Sequence, residues 1–254
     1  MIQLSVSQYM LVYNVLSFTI AAMFAAFIFL FGSRAQVGEK YRPALLISSV
    51  VVAIACYHYF RIFNSWEDAF TLVNGVYQPS GKAFNDAYRY VDWMLTVPLL
   101  LVELVAVLAL PKAEREGLFG KLAIAAFLMI ILGYPGEVSS DMTTRAIWGT
   151  LSTIPFLYIL SVLWGKIGSV LPQQPGQVQV LMTNIRLLIL ATWGFYPITY
   201  MMPMFGIARE SSLIGVQIGY AIADVLAKAF YGVMIYWIAH AKSEADGSLP
   251  KGSH

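Results

Sequence analysis

The chain has 254 residues, of which 59% are hydrophobic and only 12% are charged, and its mean hydropathy is +0.68. This composition leaves too little polar surface for a water-soluble domain, so the sequence predicts an integral membrane protein. The net charge of +2 is too small to indicate a nucleic-acid-binding protein, and the sequence lacks a phosphate-binding glycine loop, a zinc-ligand spacing and a nucleophile elbow.

A helix needs about 20 apolar residues to cross the hydrocarbon region of a bilayer. Seven segments meet this requirement and predict an all-α bundle of seven transmembrane helices: Tyr9–Gly32, Pro43–Phe63, Asp86–Leu110, Leu118–Tyr134, Thr144–Leu171, Val178–Phe205 and Ser211–Ala241. Residues 1–241 are therefore expected to form a single transmembrane domain, and the polar residues 242–254 a disordered tail. Between the second and third spans, alternating apolar residues around Asn74-Gly75 predict a short β-hairpin from Leu72 to Tyr77.

The basic residues predict how the bundle is oriented, because Lys and Arg accumulate on the cytoplasmic side of a membrane. The larger group falls on one side: Arg34, Lys40, Arg42, Lys112, Arg115, Lys121, Lys166, Arg186, Lys242 and Lys251. The smaller group falls on the other: Arg61, Lys82, Arg89, Arg145 and Arg209. The N-terminus is therefore expected outside the cell and the C-terminus in the cytoplasm.

The third span carries four polar residues, Arg89, Asp92, Thr96 and Glu103. The step from Asp92 to Glu103 returns to within about 20° of the same helix face and rises about 16 Å. In the predicted orientation Asp92 lies toward the exterior and Glu103 toward the cytoplasm, where apolar surroundings favour a protonated acid, so the helix predicts a directional proton path. Taken alone, Glu103 is also compatible with snorkelling to the inner surface, and Arg89 with an interfacial anchor.

Lys228 lies near the centre of the last span, where an unpaired charge costs roughly 3 kcal/mol or more. Asp224 lies one turn earlier on the same helix face. A desolvated amine beside a carboxylate suits a lysine that forms an imine, although a structural ion pair between helices is the alternative. In the second span, His58 is either a partner that tunes Asp92 or a structural histidine.

Three segments resemble helices of the microbial rhodopsins in the right chain order. Arg89 to Leu100, followed by Glu103, resembles their third helix, Trp193 to Tyr200 their sixth, and Asp224 to Lys228 the retinal-attachment segment of their seventh. The combination of Asp92, Thr96 and Glu103 is the pattern of proteorhodopsin-like proton pumps. Further segments are closest to the xanthorhodopsin branch of that family: residues 57–66, 133–137 and 147–150.

The resemblance implies all-trans-retinal bound covalently to Lys228 as a protonated Schiff base. It makes Asp92 the counterion and primary proton acceptor, Asp224 a second counterion and Glu103 the cytoplasmic proton donor, with His58 hydrogen-bonded to Asp92. It also implies a retinal pocket whose aromatic members are otherwise compatible with simple helix packing: Trp93, Val97, Leu100, Met129, Gly133, Ser152, Thr153, Phe156, Trp193, Tyr196, Pro197 and Tyr200.

Gly149 and Val216 distinguish this sequence within the family. Many relatives have a bulky aromatic residue at the position of Gly149, whereas the xanthorhodopsin branch has glycine and binds a carotenoid antenna there. The alternative for Gly149 is a small residue at a helix contact. Val216 stands where haloarchaeal pumps carry a proton-releasing glutamate of the seventh helix, and Glu137 and Glu210 do not match that pattern, so the release group is left open.

The resemblance therefore implies an outward light-driven proton pump rather than an enzyme. It also implies a multi-pass protein of a bacterial inner membrane that assembles as a homo-oligomer, a pentamer or a trimer. A sensory photoreceptor that signals through a partner membrane protein is the main alternative, but such sensors usually lack a carboxylic donor at the position of Glu103. A lysine imine enzyme or a retinal carrier would not require the charged residues of the third span.

Overall fold

The computed structural model describes residues 2–108 and 110–250. Within this part of the chain, seven helices are long and apolar enough to cross a membrane. They are α1 (Val6–Ser33), α2 (Arg42–Ala69), α3 (Ala87–Leu108), α4 (Lys112–Glu137), α5 (Met142–Val170), α6 (Gly176–Met201) and α7 (Arg209–Ala245). The predicted seven-helix bundle is thus confirmed, and most helices extend a few residues past the predicted spans because hydropathy does not detect their polar end turns.

A small antiparallel sheet covers one end of the bundle, which we call the sheet end. Its strands are β1 (Leu4–Ser5), β2 (Phe70–Val73) and β3 (Val76–Pro79), in the order β1-β3-β2. Asn74 and Gly75 have φ values of 50° and 83°, as the tight turn between β2 and β3 requires. The predicted hairpin is confirmed, and β1 adds a third strand that is too short to leave an alternating pattern in the sequence.

The backbones of α3 and α7 depart from regular α-helix next to the centre of the bundle. Pro98 lies inside α3, where its missing N–H removes one backbone hydrogen bond. The segment Val225–Phe230 of α7 is a π-helical turn and contains Lys228. Such turns are rare and often mark functional positions in helices.

The end of the bundle opposite the sheet, the distal end, is closed by residues that the sequence placed at the surface or in a tail. Lys242 is buried and its Nζ donates to the carbonyl oxygens of Val107 (2.9 Å) and Leu108 (3.4 Å), which caps the end of α3. Asp246 accepts a hydrogen bond from Tyr41 (2.7 Å) and pairs with Lys40 (2.6 Å), and these contacts lower the pKa of Asp246.

The seventh helix therefore continues four residues past the predicted boundary at Ala241, to Ala245. The first residues of the predicted tail belong to the folded domain because their polar groups satisfy helix ends and loop residues. The rest of that prediction, disorder of residues 251–254, lies outside the described residues, as does the charge of Lys251.

Candidate functional site

The centre of the bundle contains one amine between two carboxylates. Lys228 on α7 forms ion pairs with Asp92 of α3 and with Asp224 one turn earlier, the latter at 2.9 Å. All three residues are at most 1% exposed. Removing three charges from water is costly, so the site is stable only because the charges lie in direct contact and Asp224 accepts further hydrogen bonds.

The two carboxylates have different surroundings. Asp224 accepts hydrogen bonds from Tyr59 (2.7 Å), Tyr196 (2.5 Å) and Trp93 (3.1 Å). In contrast, Oδ1 of Asp92 has no hydrogen-bond partner among the described residues. Because donors stabilise the charged form of an acid, Asp224 is held as an anion and Asp92 is the carboxylate better suited to take up a proton.

His58 and Thr96 lie beside Asp92 but neither donates to its carboxylate. The Nδ1 atom of His58 is 3.7 Å from Oδ1 of Asp92 and lies 2.9 Å from the carbonyl oxygen of Ile54, one turn earlier in α2. The Thr96 hydroxyl donates to the backbone oxygen of Asp92 at 2.8 Å. The predicted His58–Asp92 hydrogen bond is therefore not formed in this structure, because the ring nitrogen is engaged by its own helix.

Arg89 lies on the sheet side of the carboxylates and is buried. Its guanidinium donates to Asp86 (3.2 Å) and to Gln217 of α7 (2.9 Å). Among the described residues it forms no ion pair with Asp92 or Asp224, so it compensates their charge across a gap rather than by contact. Its direct anionic partner is Asp86, which the sequence analysis did not identify.

Glu103 occupies the same face of α3 as Asp92, about 16 Å closer to the distal end. It is fully buried, and neither of its carboxyl oxygens has a hydrogen-bond partner among the described residues. Leu100 and Val107, which lie one turn before and one turn after it on α3, belong to a buried apolar cluster. The side chain does not snorkel to the surface, and a carboxylate without donors in such a place is costly, so the neutral acid is favoured.

An apolar cavity of about 250 Å³ begins at Lys228 and passes between α3, α4, α5 and α6. Every residue predicted to bind the cofactor lines it, including Gly149. Several other residues line the cavity that the sequence pattern did not indicate: Tyr90, Ile130, Ala146, Thr150, Met201, Met204, Tyr220 and Ala227. Trp93 and Tyr196 stand edge to face at 5.3 Å and form part of its wall near Asp224.

Comparison with known proteins agrees with this geometry. The sequence model of the bacteriorhodopsin-like protein family matches residues 10–242. The chain belongs to this family. As a bacteriorhodopsin-like protein it is a multi-pass membrane protein with seven spans.

Solved structures of the family superpose on nearly the whole chain. Xanthorhodopsin, described as a light-driven ion pump with dual chromophore, is 56% identical, with a TM-score of 0.91 over 97% of this chain and 98% of that one. A thermophilic rhodopsin is 47% identical, with a TM-score of 0.92 over 96% and 98%. The green-light absorbing proteorhodopsin of Gamma-proteobacterium EBAC31A08 is 28% identical over 88% of this chain and 84% of its own length.

Membership of the family implies retinal as the cofactor, and the residues present fit this group. Lys228 supplies an amine at one end of an apolar, aromatic cavity, and Asp92 and Asp224 supply negative charge for a cation at that nitrogen. The residues that would hold the polyene are the aromatic and small side chains of the cavity, among them Trp93, Trp193 and Gly133.

Proposed function

We propose that this protein is a light-driven pump that moves protons out of the cell. The observation that carries the proposal is the placement of Lys228 between Asp92 and Asp224, with Glu103 buried without donors further along α3. The resemblance to xanthorhodopsin, itself described as a light-driven ion pump, supports the same class of function. The buried carboxylates, which bind and release protons directly, support a proton as the transported ion.

Retinal, when bound, would form an imine with Lys228 and supply light absorption and isomerisation. In the dark, the proton at Nζ of Lys228 is held between Asp92 and Asp224. Transfer of this proton to Asp92 is favoured over transfer to Asp224, because three donors stabilise the anion of Asp224. The first transfer therefore moves the proton onto α3 on the sheet side of the site.

Glu103 then returns a proton to Nζ of Lys228 from the opposite side. Leu100, Trp193 and Tyr231 pack in the apolar cluster beside this route, which keeps the donor separate from the acceptor. Separate access to the two carboxyl groups gives the transport its direction. Each proton moved against 100 mV costs about 2.3 kcal/mol, which the protein meets with the energy of absorbed light.

We place the sheet end outside the cell and the distal end in the cytoplasm of a bacterium, in its inner membrane. The Lys and Arg distribution supports this orientation, and a related proteorhodopsin comes from a gamma-proteobacterium. We further propose a homo-oligomer, a trimer or a pentamer, as the family resemblance implies.

Illumination of cells that contain the retinal-loaded protein is expected to acidify the medium for as long as light is on. A protonophore should abolish the signal, whereas replacement of sodium by potassium or of chloride by sulfate should leave it unchanged. Cells that express Lys228→Ala provide the matched control. A photocycle without sustained acidification would contradict pumping and favour a sensory photoreceptor, and a signal lost with sodium or chloride would identify another ion.

A second chromophore is proposed beside Gly149. The cavity continues past Tyr200 toward the sheet end, where Ala146, Gly149 and Thr150 of α5 face Met201 and Met204. A Cβ atom at position 149 would lie 2.6 Å from Cε1 of Tyr200, so only glycine lets the Tyr200 ring lie this close to α5 in the wall of the cavity. The related xanthorhodopsin is described as having a dual chromophore, which supports a carotenoid antenna at this opening.

Gly149→Trp is expected to abolish carotenoid binding, because the indole fills the opening. The parent protein should induce circular dichroism in the bands of an added keto or hydroxylated carotenoid, and carotenoid absorption should drive retinal photochemistry. Both effects should be absent in the variant. Since Tyr200 must shift to admit any side chain at 149, a small shift of the retinal band is expected, with pumping retained. An unaltered carotenoid spectrum with the parent protein would reduce Gly149 to a packing residue.

A further inference from the structure

Two carboxyl groups at the sheet end, Asp86 and Glu137, have no part in the proton path described so far. Glu137 is buried and fully engaged: Arg145 pairs with it at 3.1 Å and Tyr220 donates to it at 3.0 Å. Arg145 in turn donates to the backbone oxygens of Glu137 and Tyr200. This cluster joins α4, α5, α6 and α7, and the side chains of Arg145 and Glu137 are only 4% and 6% exposed.

Asp86 has a different environment, because it connects a buried charge with the surface. Its Oδ1 accepts from Nη1 of Arg89 and from Nε2 of Gln217, both at 3.2 Å. Both donors are buried, whereas the side chain of Asp86 is 34% exposed. Its Oδ2 has no donor among the described residues, so this carboxylate retains a free acceptor atom at the boundary between the bundle and the solvent.

Asp86 follows the proton acceptor Asp92 outward along the chain, with Arg89 between them. Asp86, Arg89 and Asp92 follow one another at intervals of three residues, and each step turns by about 60° around the helix axis, so Arg89 lies between the directions of Asp86 and Asp92. Asp92 and Asp86 are separated by about 9 Å along this axis, with the Arg89 side chain between them. Arginine keeps its own proton under all relevant conditions, so Asp86 is the next carboxyl outward from Asp92 along this part of the chain that is able to accept one.

We propose that Asp86 is the exit carboxyl of the pump, through which the proton leaves Asp92 for the outer solvent. The inference rests on the proposed function and answers a question that the sequence left open, since Val216 replaces the glutamate that releases protons in haloarchaeal pumps. The transfer balances in two steps. The proton of Asp92 passes to the carboxylate of Asp86, and neutral Asp86 then releases it to water, which restores both anions.

The charges around the two residues favour this order. Once Glu103 has returned a proton to Lys228, the positive charge beside Asp92 again stabilises its anion, and the proton on Asp92 is expelled. Burial raises the pKa of Asp86, although the charge of Arg89 opposes the rise, so Asp86 is a better transient acceptor than a fully exposed aspartate. Arg89 then stabilises Asp86 again after the release.

Asp86→Asn tests the proposal because asparagine keeps the size and the acceptor oxygen but cannot carry the proton. The retinal band and the rate at which the Lys228 nitrogen loses its proton should be unchanged. The appearance of protons outside, measured with a pH-sensitive dye after a flash, should slow by about tenfold or more. The infrared C=O band of protonated Asp92 should persist for the same longer time.

Asp68→Asn is the matched control, since Asp68 is a carboxylate at the same end that pairs with Lys82 at 3.1 Å and is largely exposed. It should release protons at the rate of the parent protein, and Asp86→Glu should retain most of that rate. If Asp86→Asn also shifts the resting spectrum because Arg89 loses its partner, proton release is measured again in the presence of formate. Restored proton release, with the spectral shift still present, supports the exit role.

Unchanged dye and infrared kinetics in Asp86→Asn, in a parent protein that acidifies the medium, would overturn the exit role and leave the pump intact. Slow release that neither formate nor Asp86→Glu restores would also overturn it and assign Asp86 a structural function. A parent protein that does not acidify the medium would instead contradict the proposed function itself.

Discussion

Lys228→Ala is expected to give a colourless protein even when it is produced with added retinal. Retinal can be attached only through an amine that lines the cavity, and Lys228 is the lysine that does so. The variant should show no visible band, and the denatured protein should carry no retinal adduct by mass spectrometry. A visible band or an adduct on another lysine would contradict the assignment.

Two further variants separate attachment from folding. Loss of Lys228 leaves Asp92 and Asp224 together without their cation, which costs a few kcal/mol of stability unless one carboxyl is protonated, so a colourless Ala variant could be unfolded. Lys228→Arg keeps the positive charge but cannot form an imine, and it should be folded and colourless. Lys242→Ala removes the other buried lysine of α7, which caps α3 far from the cavity, and it should remain coloured.

Elementary patterns of the sequence were sufficient for the architecture and for the central residues. Seven apolar segments of membrane-crossing length specify seven helices, because backbone polar groups inside a bilayer must be satisfied within the helix. Charges within such segments are costly, so Asp92, Glu103, Asp224 and Lys228 stood out without any knowledge of the fold. Helical periodicity then placed Asp224 with Lys228, and the structure joins that pair to Asp92 from another helix.

The partners of these residues depend on tertiary contacts that periodicity cannot specify. Tyr59 of α2 and Tyr196 of α6 donate hydrogen bonds to Asp224. The sequence does not distinguish an aromatic residue that makes such a hydrogen bond from one that only packs in a membrane helix. Arg89 pairs with Asp86, and the sequence pattern did not identify this partner. His58 was placed correctly beside Asp92, but its ring orientation depends on a competing backbone acceptor. The catalytic roles of these residues stay predictions.

Asp92→Asn is expected to abolish proton transport and to shift the absorption band to the red. The variant keeps the ion pair between Lys228 and Asp224 at 2.9 Å, so the nitrogen remains protonated in the dark. One of the two negative charges beside that nitrogen is lost. The dark state of the chromophore is then less stabilised, so its excitation energy is lower. An amide cannot take up the proton, so the absorbance change that reports deprotonation of the Lys228 nitrogen should be lost.

Glu103→Gln is the matched control for this result, because it makes the same change from carboxyl to amide on the same face of α3. Its resting colour and its first proton transfer should be those of the parent protein, since Glu103 makes no hydrogen bond to the central site. Only the return of a proton to Lys228 should slow, by about a hundredfold, as expected for the loss of a positioned general acid. Flash photolysis of the two variants side by side distinguishes the steps. Interchanged phenotypes would contradict the assignment of Asp92 as the proton acceptor and of Glu103 as the proton donor.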